Sequence, residues 1–433
     1  MIEKAKLIID LDKRVLDIVF ASFYLRVGFF MLSQGSNMNL AIVIAMLLYL
    51  GIPSEGTISD DDSQGSITLE VLHLFNGTDG RGPLARPQGR FDYSNNVWDL
   101  YGVTGGGGIH GNGTVYKIYP KEKTVTTVAY LDGENGAQPT GVTYASPPFG
   151  EDFLAGVAYY GGAHGLGTIF RVNPKSKTVS TEYHFDGSKG AHPMGILSRS
   201  EGTNEDHYGI TAKGGSTGNG TAFLWDSVAG SITLLKPRTG VAVAFNYPTS
   251  LARDSHKGFA GTTLYGCGGT GAFYTAGFEN YVNDGICVEK AGIKYPLSIA
   301  SSDVFKWWGT ALDGSLFRIE FTDPGGWHIY KEYQFEGYKK GLVPYGIVRG
   351  SDGYGYGVAG PYDDTKEHCG LIFRTSSDLK TVTTLYTFST NDTSMVCHPK
   401  AAPFEVEPGV FIGTAVSGGP FDAGGVYMFT VNS

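Results

Sequence analysis

Pro139-Thr-Gly-Val-Thr-Tyr144, then Gly156 after a polar connection, then Gly167-Thr-Ile-Phe-Arg-Val172: this stretch decides the fold, because the chain returns to its pattern seven times. Prolines recur at Pro87, Pro139, Pro193, Pro248, Pro296, Pro344 and Pro399, at steps of 48 to 55 residues. A glycine follows each of them 13 to 17 residues later, at Gly102, Gly156, Gly209, Gly261, Gly309, Gly357 and Gly413. Two columns keeping one rhythm near 50, in segments rich in β-branched and aromatic residues, predict an all-β propeller with one small antiparallel sheet per repeat.

Each unit reads as four strands. A short apolar strand follows the proline, as in Pro344-Tyr-Gly-Ile-Val348. The glycine strand comes next, as in Leu100-Tyr-Gly-Val-Thr104 and His207-Tyr-Gly-Ile-Thr211. A Gly-rich loop leads to the third strand, Gly113-Thr-Val-Tyr-Lys-Ile118 or Gly314-Ser-Leu-Phe-Arg-Ile319, and a turn feeds the fourth. The fourth and fifth units depart most, the third strand of the fourth lying at Gly271-Ala-Phe-Tyr274 or displaced from it. A lone fourth-type strand at 66–75 opens the repeats and a lone third-type strand at 425–431 ends them. Pairing the two would complete a seventh blade and leave no open sheet edge. The expectation is one seven-bladed domain over 57–433.

Before it, 40–52 is an apolar run of 13 residues, short for a membrane span and suited to the apolar region of a signal peptide. Met38 stands just upstream, so 38–56 reads as a signal peptide or signal anchor. Residues 1–37 then read as a gene-model extension or a membrane-associated segment. Two features agree with a secretory route, secreted or lumenal. Glycosylation sequons stand at Asn76, Asn112, Asn219 and Asn391, two of them inside the repeated Gly-x-Gly-Thr motif. The four cysteines form an even set, with Cys369 and Cys397 placed across one hairpin and Cys267 and Cys287 within the fourth blade. The alternative reading leaves them as free core thiols.

A net charge of −9 argues against a nucleic-acid partner, since phosphate binding needs a basic face. Metal-ligand, phosphate-loop and nucleophile-elbow spacings are missing from the sequence. The Gly-rich stretches 105–113 and 161–167 lead into strands, so they read as turns and not as nucleotide loops. The Asp/Asn-Gly-x-x-Gly elements after the fourth strands also read as turns. Chemistry in a propeller belongs at the channel mouth, where loops of all blades converge. The residues before the prolines form one ring there: Arg86, Gln138, His192, Tyr247, Tyr295, Val343 and His398. Those after them form a second: Gln88, Thr140, Met194, Thr249, Leu297, Tyr345 and Lys400. These positions vary while concentrating Arg, His, Lys, Tyr and Gln, as a scaffold carrying one pocket would. Three Gly-rich-loop residues, His110, Tyr160 and His164, share that face. Trp307 and Trp308 alternate on one strand, one toward the channel or its neighbouring strand and one toward a blade interface, with core packing as the favoured reading.

The Tyr-Gly-x-Thr, Gly-Gly-x-x-Gly-x-Gly-Thr-Val-Phe and Phe-x-Gly-x-x-Gly-x-x-Pro segments resemble GloVer-type tandem repeats over nearly the whole chain after Ser66. Within that group the single-domain architecture is similar to the fungal hetero-Diels–Alderases of tropolone–sesquiterpenoid biosynthesis. That resemblance implies a cofactor-independent pericyclase whose partners are small polyketide and terpenoid molecules. A hydroxymethyl tropolone would lose water to give an ortho-quinone methide, which adds to a humulene-type alkene. His192 or His398 would move the proton, and Arg86, Lys400 or a tyrosine would donate to the ketone oxygen. Gln138, Tyr247, Tyr295, Tyr345, Trp307, Trp308, His110, Tyr160 and His164 would line the substrate site. Two further readings stay open: a secreted glycan- or partner-binding propeller, and a lyase or hydrolase using Asp132, Glu134, Asp186 and Glu336.

Overall fold

The computed structural model of the chain describes residues 67–432 except 146–150, 200–205, 238–246, 254–258, 266–268, 277–280, 304–305, 323–325, 336–341, 363–367, 391 and 393. The segments 1–37 and 38–56 lie outside the described residues, as do Cys267, Glu336 and Asn391.

Seven antiparallel sheets follow one another along the chain. The second blade is typical: Ala137–Ala145, Phe153–Tyr160, Thr168–Asn173 and Thr178–His184 pair in that order. In the fourth blade the third strand is Ala272–Ala276, in the place marked by Gly271-Ala-Phe-Tyr274 and not displaced. Its outer strand, Tyr281–Cys287, carries an extra parallel pair from Lys236–Pro237. The seventh blade takes strands from both ends of the repeats. Ile67–Leu74 pairs antiparallel with Gly425–Val431, Ile67 opposite Val431 and Leu74 opposite Gly425. Val410–Ala415 and Phe404–Glu407 complete that sheet. Seven buried apolar clusters join adjacent blades. One of them links Val406, Ile412 and Val426 of the seventh blade to Leu100, Tyr116 and Ile118 of the first, which closes the ring.

The glycine column has a packing cause. In every blade the column glycine stands directly across the ladder from an aromatic residue of the third strand. Gly102 faces Tyr116, Gly156 faces Phe170, Gly209 faces Phe223 and Gly261 faces Tyr274. Gly309 faces Phe317, Gly357 faces Phe373 and Gly413 faces Tyr427. A methyl group on any of these glycines would overlap that ring. The ring therefore lies flat over a bare backbone, and a side chain at the glycine would displace it. The proline column has a related cause. Pro139, Pro193, Pro248, Pro296 and Pro399 each pack on the positive-φ glycine that opens the third strand of the preceding blade. Each column is thus one side of a contact repeated around the ring.

The first blade corrects the proline column. Pro83, not Pro87, stands opposite Thr104, two residues past the column glycine, as Pro139 stands opposite Ala158 and Pro193 opposite Thr211. The ring position before the proline is therefore Gly82, whose φ is 64°. Arg86 and Gln88 leave the two rings: Gln88 pairs with Tyr101, and residues 84–87 form a bulge facing only Gly102 and Val103.

Candidate functional site

The innermost strands pack against those of the neighbouring blades and surround the axis of the ring. Their starts share one backbone device. Gln138, His192, Tyr247, Tyr295 and His398 all adopt left-handed conformations, with φ between 56° and 61°. Such values are uncommon without a glycine and persist where the surroundings enforce them. Here the enforcement is a hydrogen bond between blades. The N–H of Gln138 donates to Asn112 O at 2.9 Å, and that of His192 to Leu166 O at 2.7 Å. Tyr247 donates to Asn219 O, Tyr295 to Thr270 O and His398 to Cys369 O, all at 2.7–2.8 Å. Val343 departs: it pairs in the ladder with Gly360 and is fully buried, as suits a β-branched residue, for which the left-handed region is costly. After the proline, an irregular step in the ladder leaves Thr140, Thr249, Leu297 and Tyr345 as single extra residues, a bulge that re-aims each side chain. Thr249 Oγ1 spends its hydrogen bond on Pro296 O of the next blade at 2.9 Å, and Tyr345 donates its hydroxyl to Pro361 O at 2.9 Å.

Across blades two to five these starts gather an aromatic arc. The imidazole of His192 stacks on Tyr159 with centroids 4.7 Å apart and meets the edge of Tyr160 at 5.3 Å. Its Nδ1 lies 3.0 Å from the Tyr159 carbonyl. A carbonyl only accepts, so Nδ1 carries the hydrogen and the neutral ring presents Nε2 as its basic nitrogen. That nitrogen makes no hydrogen bond within the described residues. Tyr159 is hydrogen-bonded to Tyr247, and burial together with that bond pushes its phenol up to about 12. The arc continues from Tyr247 to Tyr265 at 6.3 Å and on to Tyr295 at 6.0 Å. The rings of Tyr160, Tyr265 and Tyr295 remain exposed. A base of one defined tautomer beside protonated phenols is an arrangement able to take and return a proton.

Other candidates fall elsewhere. His398 is buried: its Nε2 donates to His368 O at 3.1 Å and its Nδ1 lies 2.8 Å from Ser417 Oγ, so the fold uses both nitrogens. It follows Cys397, which is disulfide-bonded to Cys369 with Cα atoms 4.5 Å apart. Cys287 is also disulfide-bonded. Trp307 and Trp308 are 0% and 3% exposed and fill the cores between blades four and five and between five and six, so neither faces the channel. Lys400 Nζ lies 5.8 Å from the Tyr345 ring. His110 and His164 are exposed at loop tips, and Gln138 is half-buried. Arg86 sits in the bulge of blade one with its guanidinium 5.1 Å from the ring of Phe404, and burial pulls it down to about 10.

The described carboxylates Asp132, Glu134 and Asp186 form no cluster of metal-binding kind, and two of them are held in their own turns. Asp186 Oδ1 accepts from the N–H and hydroxyl of Ser188, which hold it below the usual carboxylate range, and Asp132 exchanges bonds with Asn135. Glu134, like these two, is exposed. Asn76 and Asn219 are exposed, whereas Asn112 is half-buried. Asn112 and Asn219 supply the carbonyls that receive the ring N–H groups, so the motif itself uses both positions. Tyr159 and Tyr265 escaped the sequence reading. Tyr265 follows Gly261 by four residues, as Tyr160 follows Gly156, and that equivalence was there to be read.

The fold has many relatives among solved structures. YCF48 bound to D1 peptide superposes at a TM-score of 0.51 with 10% identity, covering 86% of this chain and 97% of that one. YCF48 from Cyanidioschyzon merolae gives 0.50 and 12%, covering 84% and 98%. The extracellular domain of a putative hybrid two-component system from B. thetaiotaomicron gives 0.52 and 13%, covering 84% and 41%. At such identities the likeness is one of fold alone. No curated protein matches the chain by sequence. Residues 46–274 match the Gloeobacter/Verrucomicrobia repeat, a span that stops inside blade four and so is shorter than the near-complete coverage expected from the motifs. With more than half of its length matched and seven blades built on one glycine–aromatic pair, the chain belongs to the Gloeobacter/Verrucomicrobia repeat family.

Proposed function

We propose that the arc around His192 is a small-molecule site acting as a cofactor-independent hetero-Diels–Alderase. The supporting observation is the unbonded Nε2 of His192, held by the Tyr159 carbonyl among phenols. In this reading Nε2 takes the hydroxyl proton of a hydroxymethyl tropolone. The imidazolium then returns it to the departing hydroxyl, so water leaves, the proton balance closes and an ortho-quinone methide remains. Of the hydrogen-bonded pair Tyr159 and Tyr247, the phenol whose hydrogen is not used within the pair donates to the ketone oxygen, and the rings of Tyr160, Tyr265 and Tyr295 hold the terpene alkene against the diene. The two new bonds form a dihydropyran with no redox change. Orientation of this kind contributes up to roughly 7–11 kcal/mol in the best intramolecular cases. The reading includes a secretory route, with which the Cys369–Cys397 disulfide agrees.

The test mixes the full chain with a hydroxymethyl tropolone and a humulene-type alcohol, with chiral chromatography against a boiled control. A single stereoisomer formed faster than in the control, and lost in His192→Ala, is expected. Racemic product at the control rate would overturn the reading. The exposed rings of Tyr160, Tyr265 and Tyr295 favour a second reading, a partner-binding face, and a propeller of this fold is known with a peptide bound. Peptide or glycan capture by the chain, abolished by Tyr265→Ala together with Tyr295→Ala and accompanied by no turnover, would select it.

A further inference from the structure

We infer that Arg86 is a receptor for a planar, singly charged oxyanion, a carboxylate or enolate, at a site distinct from the His192 arc.

Three observations converge on it. The bulge at 84–87 places four residues opposite two, Gly102 and Val103, between Pro83 opposite Thr104 and Gln88 opposite Tyr101. It is anchored, because Ala85 is buried between blades one and two and its carbonyl accepts from Thr414 Oγ1 of blade seven at 3.2 Å. The side chain that this anchored bulge delivers has no hydrogen-bond or ion-pair partner among the described residues. Arg86 Nε is buried without a hydrogen bond, and the guanidinium makes no ion pair among the described residues. Its one neighbour of note is the face of Phe404 at 5.1 Å. Other arginines are served differently: Arg90 bonds Asp152 at 2.7 Å, Arg171 lies 3.3 Å from Glu182 and Arg318 bonds Glu332 at 2.8 Å.

A buried cation without a counter-charge is costly, and proteins pair such groups or leave them for a ligand. Even lowered to about 10, Arg86 is charged at neutral pH. The burial is uneven: Nε is shut away from solvent while the residue as a whole is only partly covered, so a ligand can reach the outer edge of the guanidinium. A guanidinium presents a planar fork of donors that matches the two oxygens of a carboxylate or an enolised hydroxy-ketone, and Phe404 beneath it favours a flat anion. One cation suits one negative charge, which sets this site apart from those for phosphate monoesters.

Calorimetric titration of the full chain with benzoate, and with neutral benzamide, tests the inference. One benzoate per chain is expected, with no heat from benzamide. Affinity should fall about tenfold or more in Arg86→Met, and by less in Arg86→Lys, which keeps the charge but loses the fork. His192→Ala should bind benzoate as the native chain does, so failure of the pericyclase reading leaves this result standing. Absence of saturable benzoate binding, equal affinity in Arg86→Met, or benzamide binding as well as benzoate would each overturn it. Should Arg86→Met not fold, undiminished affinity in Arg86→Lys overturns the fork.

Discussion

His192 in blade three and His398 in blade seven occupy the same place in the repeat, precede a proline, share φ near 60° and donate the same backbone bond to the preceding blade. Their side chains nevertheless meet opposite fates. His192 stacks on Tyr159, meets the edge of Tyr160 and keeps one nitrogen without a hydrogen bond among the described residues, whereas His398 is 5% exposed with both nitrogens engaged beside a disulfide. The repeat fixes the backbone, and the neighbouring blade decides what each histidine does. A strand end carrying Tyr159 and Tyr160 leaves a ring in the open; a loop carrying His368 and Cys369 seals it.

Five variants would break or sharpen this contrast. The largest effect is expected from Cys369→Ser with Cys397→Ser, which opens a link across 28 residues of sequence and should cost about 3–4 kcal/mol in denaturant unfolding. Under the same assay His398→Ala should cost about 2–3 kcal/mol, because a buried, doubly bonded ring is lost, and His192→Ala less than about 1 kcal/mol. Equal costs for the two histidines would end the comparison. Alkaline unfolding probes the phenols. An unfolded tyrosine ionises near pH 10, whereas the folded chain keeps Tyr159 protonated up to about pH 12. The stability this provides is complete below pH 10 and is lost as pH rises to 12. Tyr247→Phe removes the hydrogen bond but leaves the burial, so its loss should finish at lower pH than in the native chain. The smallest effect concerns Tyr116, whose buried hydroxyl has no partner while four of its equivalents are phenylalanine. Tyr116→Phe should be neutral or stabilise by up to about 1 kcal/mol, read as a shift in midpoint.

Blade number, strand order and ring closure were legible because each glycine must accommodate a cross-strand ring, and that demand admits one residue type. The proline position was less secure. Pro83 and Pro87 both fit the period, and only the register with Thr104 separates them. That slip moved Arg86 into a ring to which it does not belong. The channel-mouth residues were legible as positions and not as roles. A left-handed backbone held by its N–H tolerates Gln, His or Tyr, so residue identity there carries no packing signature. Trp307 and Trp308 misled for the converse reason: both faces of a second strand are covered by neighbouring blades, so alternation there separates two interiors and not an inside from an outside.

Closure through the termini also sets a schedule. During synthesis Ile67–Leu74 leaves the ribosome some 350 residues before its partner Gly425–Val431. At typical elongation rates that is a wait of roughly 20–70 s. Throughout it the strand's partner edge stays unpaired, although its apolar residues are made for the interior of the seventh blade. The latch that completes the seventh blade is therefore the ring's most aggregation-prone element until the last strand arrives. Any chain stopped short of residue 425 releases a six-bladed arc with a sticky end.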